Sequence, residues 1–189
     1  MTAYLKLYHL EEYLFETVRH TFRNRGKLSA FDFFCIVIWK ANRAKSKVAL
    51  KLLEKDSQKR KDLNAIVEDM TSAVHNARGD KDRMRVLIEN WGFRLPMASA
   101  ILTVLYPDNF TVYDARVCDV LGDCHTVQNK TRFDDLWSGY EDFIAKVNRK
   151  APPELSLRDK DRYLWGQSFE KDLVEDIDNL FQKDKVETD

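Results

Sequence analysis

The chain has 189 residues, a length that suits one domain or two closely packed lobes. Its 6 Gly and 4 Pro are too few turn-forming residues for a barrel or sandwich built from many short strands. The formal charges cancel, with 31 Lys and Arg against 31 Asp and Glu, which excludes a uniformly basic surface that coats nucleic acid but leaves local basic patches open.

Hydrophobic spacing predicts helices along nearly the whole chain. The first amphipathic helix stops at Gly26, and Ser29 is predicted to cap a second helix that is apolar, and therefore buried, as far as Trp39. The helices expected after it are an amphipathic one from about 41, one that ends near 78–80, and then 84–91, 96–106, 115–121, 133–147 and a final pair separated at Gly166. Only residues 110–113 resemble a strand, and this segment is too short to build a sheet. We predict an all-α domain of roughly eight to ten helices.

Basic residues are concentrated in the first part of the chain. Residues 1–79 carry 15 Lys and Arg but only 9 Asp and Glu, whereas residues 80–189 carry 16 and 22, so the neutral total hides a dipolar molecule. Five cations recur four positions apart and would lie along one broad helical face: Arg43, Lys47, Lys51, Lys55 and Lys59. Such a face is either solvated surface or a site that contacts DNA phosphates.

Two neighbouring segments carry the pattern most typical of a function. The first, residues 91–103, joins a helix that ends in Trp-Gly to a helix that begins near Pro96, and the free backbone N–H groups at the start of the second helix favour a phosphate. The second, residues 110–117, is an apolar extended stretch that places Asp114 at the start of a helix. There the carboxylate accepts backbone N–H bonds and lies at the positive end of the helix dipole, so we expect it to be ionised at neutral pH.

These segments resemble the helix-hairpin-helix DNA glycosylase superfamily (HhH-GPD), in which a hairpin of the type L-P-G-V-G-x-x-x-A is followed at a short distance by a catalytic Asp at a helix start. Residues 92–98 align with the hairpin, and residues 111–117 align with the Asp segment. More weakly, residues 38–45 align with an Asn-rich turn that, in 8-oxoguanine glycosylases, fills the gap left by a flipped base. The resemblance covers about residues 28–150 and implies a DNA-glycosylase-like helical bundle.

The resemblance also implies a role for each segment. Asp114 would be the catalytic residue of a monofunctional glycosylase, because one ionised carboxylate in a dry pocket stabilises an oxocarbenium-like transition state and orients a water. The damaged or modified base would leave the stack to reach it. The residues that would contact duplex DNA are Gly92, Arg94, Met97 and Ala98 in the hairpin, Asn42 or Arg43 as the residue that fills the gap, and Lys47 and Lys51 on the basic face.

The chain departs from the family at three points. Arg94 replaces the second hairpin glycine, so a guanidinium contact would take the place of a close backbone approach to phosphate. Pro96 stands about where bifunctional members carry a nucleophilic Lys, so no lyase chemistry is expected through that position. The four-Cys iron–sulfur motif is absent, and neither a metal nor another cofactor is expected.

Each feature also has a structural interpretation. Asp114 belongs to a residue type that commonly caps helices, and Asp161, which could line a pocket, is more simply explained by a surface ion pair with Arg158 or Arg162. Two other functions therefore stay open. One is a catalytically inactive helix-hairpin-helix DNA-binding module, or a subunit of a nucleic-acid-handling system. The other is a helical protein-interaction domain whose acidic C-terminal half meets a basic partner.

The chain is expected to form a single all-α domain of two lobes. One lobe, at about residues 28–150, would hold the hairpin and Asp114. The terminal helices, residues 1–25 and 156–183, would pack together on the other lobe.

Cysteine content and hydropathy predict the cellular location of the protein. The three cysteines are an odd number and the sequence shows no signal-peptide pattern, so we expect free thiols in a reducing compartment: Cys35, Cys118 and Cys124. The longest uncharged apolar run, residues 33–39, is too short to cross a bilayer. The sequence therefore predicts a cytoplasmic protein, nucleoid-associated if the source is prokaryotic, with no membrane partner.

Overall fold

The N-terminal part of the chain forms helices that end where the sequence provides caps. The computed structural model describes residues 3–182, and its first elements are α1 (Ala3–Tyr8), α2 (Leu10–Glu12), a π-helical segment (Tyr13–Val18), α3 (Arg19–Arg25) and α4 (Ala30–Ala41). Gly26 ends α3 in the left-handed conformation, with φ at +68°, and its N–H donates to the Phe22 carbonyl oxygen at 2.8 Å. The Ser29 side chain caps α4 by accepting a hydrogen bond from the backbone N–H of Asp32. The predicted stop and the predicted cap are both confirmed.

The remaining helices follow the predicted order. They are α5 (Lys45–Lys55), α6 (Leu63–Asn76), α7 (Asp80–Arg85), α8 (Leu95–Leu105), α9 (Ala115–Leu121), α10 (Phe133–Lys150) and α11 (Leu157–Asp178), with a π-helical segment (Val86–Asn90) after α7 and 3-10 turns at Asn42–Ala44 and Val127–Asn129. Residues 3–182 contain no strand, and they form nine helices when directly joined segments are counted together. The prediction of an all-α bundle of eight to ten helices is confirmed, whereas the glycosylase-like arrangement stays a prediction.

Helix α8 lies at the centre of the hydrophobic core. Nine of its 11 residues are buried, because a helix with apolar or small residues on every side can be covered on every side. Helices α3, α4 and α7 pack around it, while α11 packs on α9 and α10. Helix α8 is therefore packed against other helices on all sides, and this packing favours a rigid position for the hairpin at its start.

One detail of the predicted helices is wrong. Gly166 does not separate a final pair of helices but lies inside the continuous helix α11. The neighbouring residues Leu164 and Ser168 are buried on the body of the protein, so tertiary packing on both sides of the glycine outweighs its low helix propensity.

Helix α11 is linked to the first helices by ion pairs from Arg158 and Arg162 to Glu11. Arg158 of α11 donates to the Glu11 carboxylate at 2.6 Å, which links the last long helix to the first helices. The division into two lobes stays a prediction, and its outermost positions, residues 1–2 and 183–189, lie outside the described residues. Between residues 3 and 182, no helix has both the length and the apolar character needed to cross a bilayer.

Candidate functional site

Residues 110–113 form an extended segment that has no strand partner, and side chains from three helices satisfy its backbone. The Tyr140 hydroxyl of α10 donates to the Thr111 carbonyl oxygen at 2.6 Å and accepts from the Thr111 N–H at 3.2 Å. The Asp161 carboxylate of α11 accepts from the Val112 N–H at 3.1 Å. The Ser99 hydroxyl of α8 accepts from the Tyr113 N–H at 2.9 Å. Because buried backbone groups need partners, these side chains hold the segment, and with it Asp114, in one place.

Asp114 caps α9 and forms an ion pair across the fold. One carboxylate oxygen accepts from the Arg116 N–H at 3.1 Å, which confirms the expected position at a helix start. The other oxygen accepts a short hydrogen bond from the Lys40 ammonium, at the last turn of α4. The two side chains are only partly covered, with relative exposures of 15% for Lys40 and 24% for Asp114. The carboxylate is therefore partnered on both oxygens and still reached by solvent.

This ion pair faces a cleft of about 460 Å³. The cleft lies between α4, α9 and α11, and its walls carry the indole rings of Trp39 and Trp165. Asp161 and Arg158 also line it. Its volume falls within the range of small-ligand sites, roughly 300–1,000 Å³, and aromatic walls with a few charged groups are typical of them. This cleft therefore has the size and the chemistry to hold a planar organic group beside Asp114.

A second, smaller cavity of about 240 Å³ connects the ion pair to the hairpin helix. Lys40 and Asp114 line this cavity as well as the cleft, and Pro96 at the start of α8 also lines the cavity. The hydrogen bond from the Tyr113 N–H to Ser99 joins α8 to the segment that carries Asp114. The beginning of the hairpin helix and the acid are thus on the same side of the molecule.

The hairpin turn has the backbone conformation expected for a tight connection. Gly92 adopts φ +68°, a left-handed conformation that other residue types rarely adopt, and Phe93 N–H donates back to the Leu87 carbonyl oxygen at 2.9 Å. Arg94 follows, exposed and without an ion pair to any described residue. Its guanidinium is therefore available to an anion from outside.

The other two hairpin residues are placed differently. Met97 is partly buried against the core, and its N–H donates to the Arg94 carbonyl oxygen at 3.0 Å. Ala98 is fully buried, and its N–H also donates to Arg94 at 3.0 Å. Both backbone N–H groups are hydrogen-bonded within the first turn of α8. These two residues therefore support the hairpin but have no free N–H group to donate to a phosphate.

The predicted basic face divides into exposed and engaged cations. Arg43, in the turn after α4, and Lys47, on α5, are exposed and form no ion pair within the described residues. Lys51 instead donates to the Gly92 carbonyl oxygen at 2.6 Å, so it braces the hairpin. The Asn42 side chain accepts from Lys45 at 3.1 Å on the exposed turn that follows Lys40. Helix α5 ends at Lys55, so the basic face is shorter than the regular spacing of cations in the sequence predicted.

The surface ion pair proposed for Asp161 is wrong in one respect. Asp161 does bond to Arg158, but the carboxylate is buried, with a relative exposure of 4%, and the guanidinium is largely covered at 15%. Burial raises the pKa of Asp161, and the Arg158 charge opposes this. Arg158 also stacks over the Trp39 ring at 5.2 Å. The pair is part of the cleft wall and of the network that holds the extended segment.

Sequence reasoning missed Lys40 as a partner of the acid. Lys40 lies two positions before Asn42, in the segment with the weaker family resemblance. The contact joins residues 74 positions apart, so no local pattern indicates it. The same holds for Trp165, which reaches the cleft from α11.

All three cysteines are buried, and one of them, Cys118, lines the smaller cavity. All three are free, as expected. Burial raises the pKa of Cys118, which lines the smaller cavity, to about 11, and that of Cys124 to about 12. Because the thiolate is the reactive form, neither is suited to act as a nucleophile near neutral pH. Residues 3–182 contain no group of three or more His, Cys, Asp or Glu arranged to hold a metal ion.

Comparison with protein-family models, curated proteins and solved structures gives no match for this chain.

Proposed function

We propose that the chain is a DNA-binding protein that excises a damaged or modified base as a monofunctional DNA glycosylase, with Asp114 as the catalytic residue. One observation carries the proposal: Asp114 and the start of the hairpin helix line the same cavity, and Asp114 also faces a cleft large enough for a base. A glycosylase needs this combination because the hairpin holds the strand while the extruded base enters the pocket.

The cleft supplies what hydrolysis of an N-glycosidic bond requires. As the bond breaks, positive charge develops on the sugar, and the Asp114 carboxylate stabilises it at close range. The same carboxylate orients the water that attacks the sugar. Trp39 and Trp165 would stack on the base and help exclude bulk solvent.

The exposed cations supply the contacts to the sugar–phosphate backbone. Arg94 lies at the hairpin and Lys47 on α5, and Lys51 connects the two elements through the Gly92 carbonyl oxygen. Each phosphate contact releases counterions and makes binding more sensitive to salt, with a log–log slope of about 0.9 per contact on duplex DNA. Asn42 and Arg43, on the exposed turn next to Lys40, would fill the gap left by the base.

The proposal is tested by replacing Asp114 with Asn on a panel of duplexes that each carry one damaged or modified base. Excision by the Asp114→Asn variant should fall by about a hundredfold or more, because the variant cannot carry the negative charge that stabilises the transition state. Duplex affinity, measured by fluorescence anisotropy, should stay nearly unchanged.

Asp119→Asn is the matched control, since Asp119 lies on the same helix but is about half exposed and pairs with His125. The control should keep wild-type excision. Equal excision by the Asp114→Asn variant and the wild type would remove Asp114 from the mechanism.

A second candidate is a DNA-binding module without catalysis. Both oxygens of Asp114 already have partners in the protein, Arg116 N–H and Lys40, and this is the pattern of a purely structural acid. In this case the wild-type chain binds duplex DNA with a salt-dependent affinity but excises no base from the panel.

A third candidate is a protein-interaction domain, and exposed apolar residues on α11 favour it. Phe169, Leu173, Val174 and Ile177 are between 38% and 53% exposed on the half of α11 that follows Ser168. Several acids accompany them, so a basic partner would fit this face. A chain that shows no salt-dependent binding to duplex DNA would favour this candidate over the other two.

A further inference from the structure

We infer that copies of this chain associate head to tail, with an apolar and acidic face of α11 in one copy packed on an exposed basic face of α5 in the next. Both faces lie outside the cleft that holds Asp114, so the association does not depend on base excision. Unburied apolar side chains and opposite charges on the two helices support it.

The second half of α11 is a helical segment that the rest of the described chain leaves uncovered. Ser168 is the last buried residue of this helix, which continues to Asp178. The exposed apolar residues of this half form what we call the α11 face: Phe169, Leu173, Val174 and Ile177. Three of them recur every four positions and so form one stripe along the helix. Helical segments shorter than about 12–15 residues are marginal in water and gain most of their stability from packing of an apolar face, so this stripe favours a partner surface.

The charge of the α11 face determines the chemistry of that partner. Residues 169–178 carry five acids against one lysine. Arg116 of the same chain already shows how a cation binds at the edge of this face: its guanidinium lies 5.7 Å from the centre of the Phe169 ring and pairs with the Asp172 carboxylate. A second α11 face would bring like charges together, which opposes binding. The face therefore fits a helix that presents cations beside an apolar side chain.

Helix α5 of another copy has this chemistry. Lys47 is exposed on α5, and Leu50, three positions later on the same side of the helix, is 68% exposed. Arg43 lies one turn before Lys47 and is also exposed. We call these three residues the α5 face. Helix α5 packs on α4 and α6, whereas α11 packs on α9 and α10, so the two faces belong to different parts of the fold and one copy presents both.

The contact joins two different surfaces, and this has a consequence for the assembly. Each copy in a pair keeps one face free, so association continues into longer assemblies or closes into a ring. The excess of cations in residues 1–79 and of acids in residues 80–189 acts in the same sense, because it attracts the basic part of one copy to the acidic part of the next. Lys47 is also proposed to contact DNA phosphates, so duplex DNA and a second copy would compete for it.

The experiment is sedimentation velocity of the full chain, without DNA, over a wide range of protein concentration. At low salt the sedimentation coefficient of the wild type should rise with concentration. In about 1 M NaCl, where the Debye length shrinks to about 3 Å, the association constant should fall by more than about tenfold. A wild type that stays monomeric at every concentration, or an association that salt leaves unchanged, overturns the inference.

Two double variants identify the faces, and all four substituted side chains are exposed. Leu173→Asp with Ile177→Asp changes the α11 face, and Lys47→Glu with Leu50→Asp changes the α5 face. Each double variant alone should be monomeric, whereas an equimolar mixture should form a dimer and nothing larger, because each variant keeps one intact and different face. Leu5→Asp is the matched control, since Leu5 is exposed on α1, outside both faces, and it should associate like the wild type.

The mixture separates head-to-tail contact from other arrangements. A dimer formed by the α5-face variant alone would indicate that two α11 faces pair with each other, and a mixture that stays monomeric would show that the two faces do not bind each other. Either result overturns the inference. Circular dichroism of both double variants should match that of the wild type, which confirms that a monomeric variant is folded.

Discussion

Removal of the Tyr140 hydroxyl tests whether side chains, in place of a strand partner, hold the segment that carries Asp114. Tyr140 is fully buried, and burial raises its pKa above the ordinary value, so the hydroxyl stays protonated. Its oxygen donates to the Thr111 carbonyl at 2.6 Å and accepts from the Thr111 N–H at 3.2 Å. Tyr140→Phe keeps the ring and removes both bonds.

The expected loss of stability follows from the backbone groups that would be left without a hydrogen-bond partner. The Thr111 N–H and carbonyl would both stay buried without this partner, and each such group costs about 1–3 kcal/mol. The Tyr140→Phe variant should therefore lose about 2–6 kcal/mol of unfolding free energy. For a protein of this size that corresponds to a melting temperature lower by about 4–24 °C.

The assay is thermal and urea unfolding followed by circular dichroism, with Tyr106→Phe as the matched control. The Tyr106 hydroxyl is also buried but has no hydrogen-bond partner among the described residues, so its removal should cost little or nothing. If both variants melt like the wild type, or if both lose the same stability, the side chain of Tyr140 does not hold the segment in the way described.

Three further changes have expected outcomes. Gly166→Ala should stabilise the protein by about 0.5–1 kcal/mol, since glycine costs backbone entropy inside a helix and an added Cβ would meet open space; a lower melting temperature would contradict this. Asp56→Asn should destabilise the protein at neutral pH, because hydrogen bonding to the Arg60 guanidinium holds the pKa of Asp56 at about 2. This stabilisation is present above the ordinary pKa of 3.8 and is lost as pH falls toward 2, so unfolding curves of variant and wild type should converge over that range. Lys47→Ala should weaken binding to all duplex sequences alike and reduce the salt slope by about 0.9 in anisotropy titrations; an unchanged slope would make the exposed part of the basic face solvated surface.

Caps and helix positions could be predicted because they depend on neighbouring residues. Ser29 caps α4 through an atom three residues away, and Asp114 caps α9 through an atom two residues away. Gly26 ends α3 because the left-handed conformation is open to it locally. Gly166 shows the limit of this reasoning, since burial of residues on both sides of it keeps α11 continuous.

The amino-acid order alone was enough to place Asp114 at the start of a helix a short distance after the hairpin, because both features follow from hydrophobic spacing and local capping. The surroundings of Asp114 depended on how the helices pack. The Lys40–Asp114 contact spans 74 positions and the Thr111–Asp161 contact spans 50, distances over which a sequence pattern carries no information about proximity. Such contacts form only because burial of the apolar helix faces brings α4, α9 and α11 around one cleft. Through that packing Asp114, which caps α9, also forms an ion pair with Lys40.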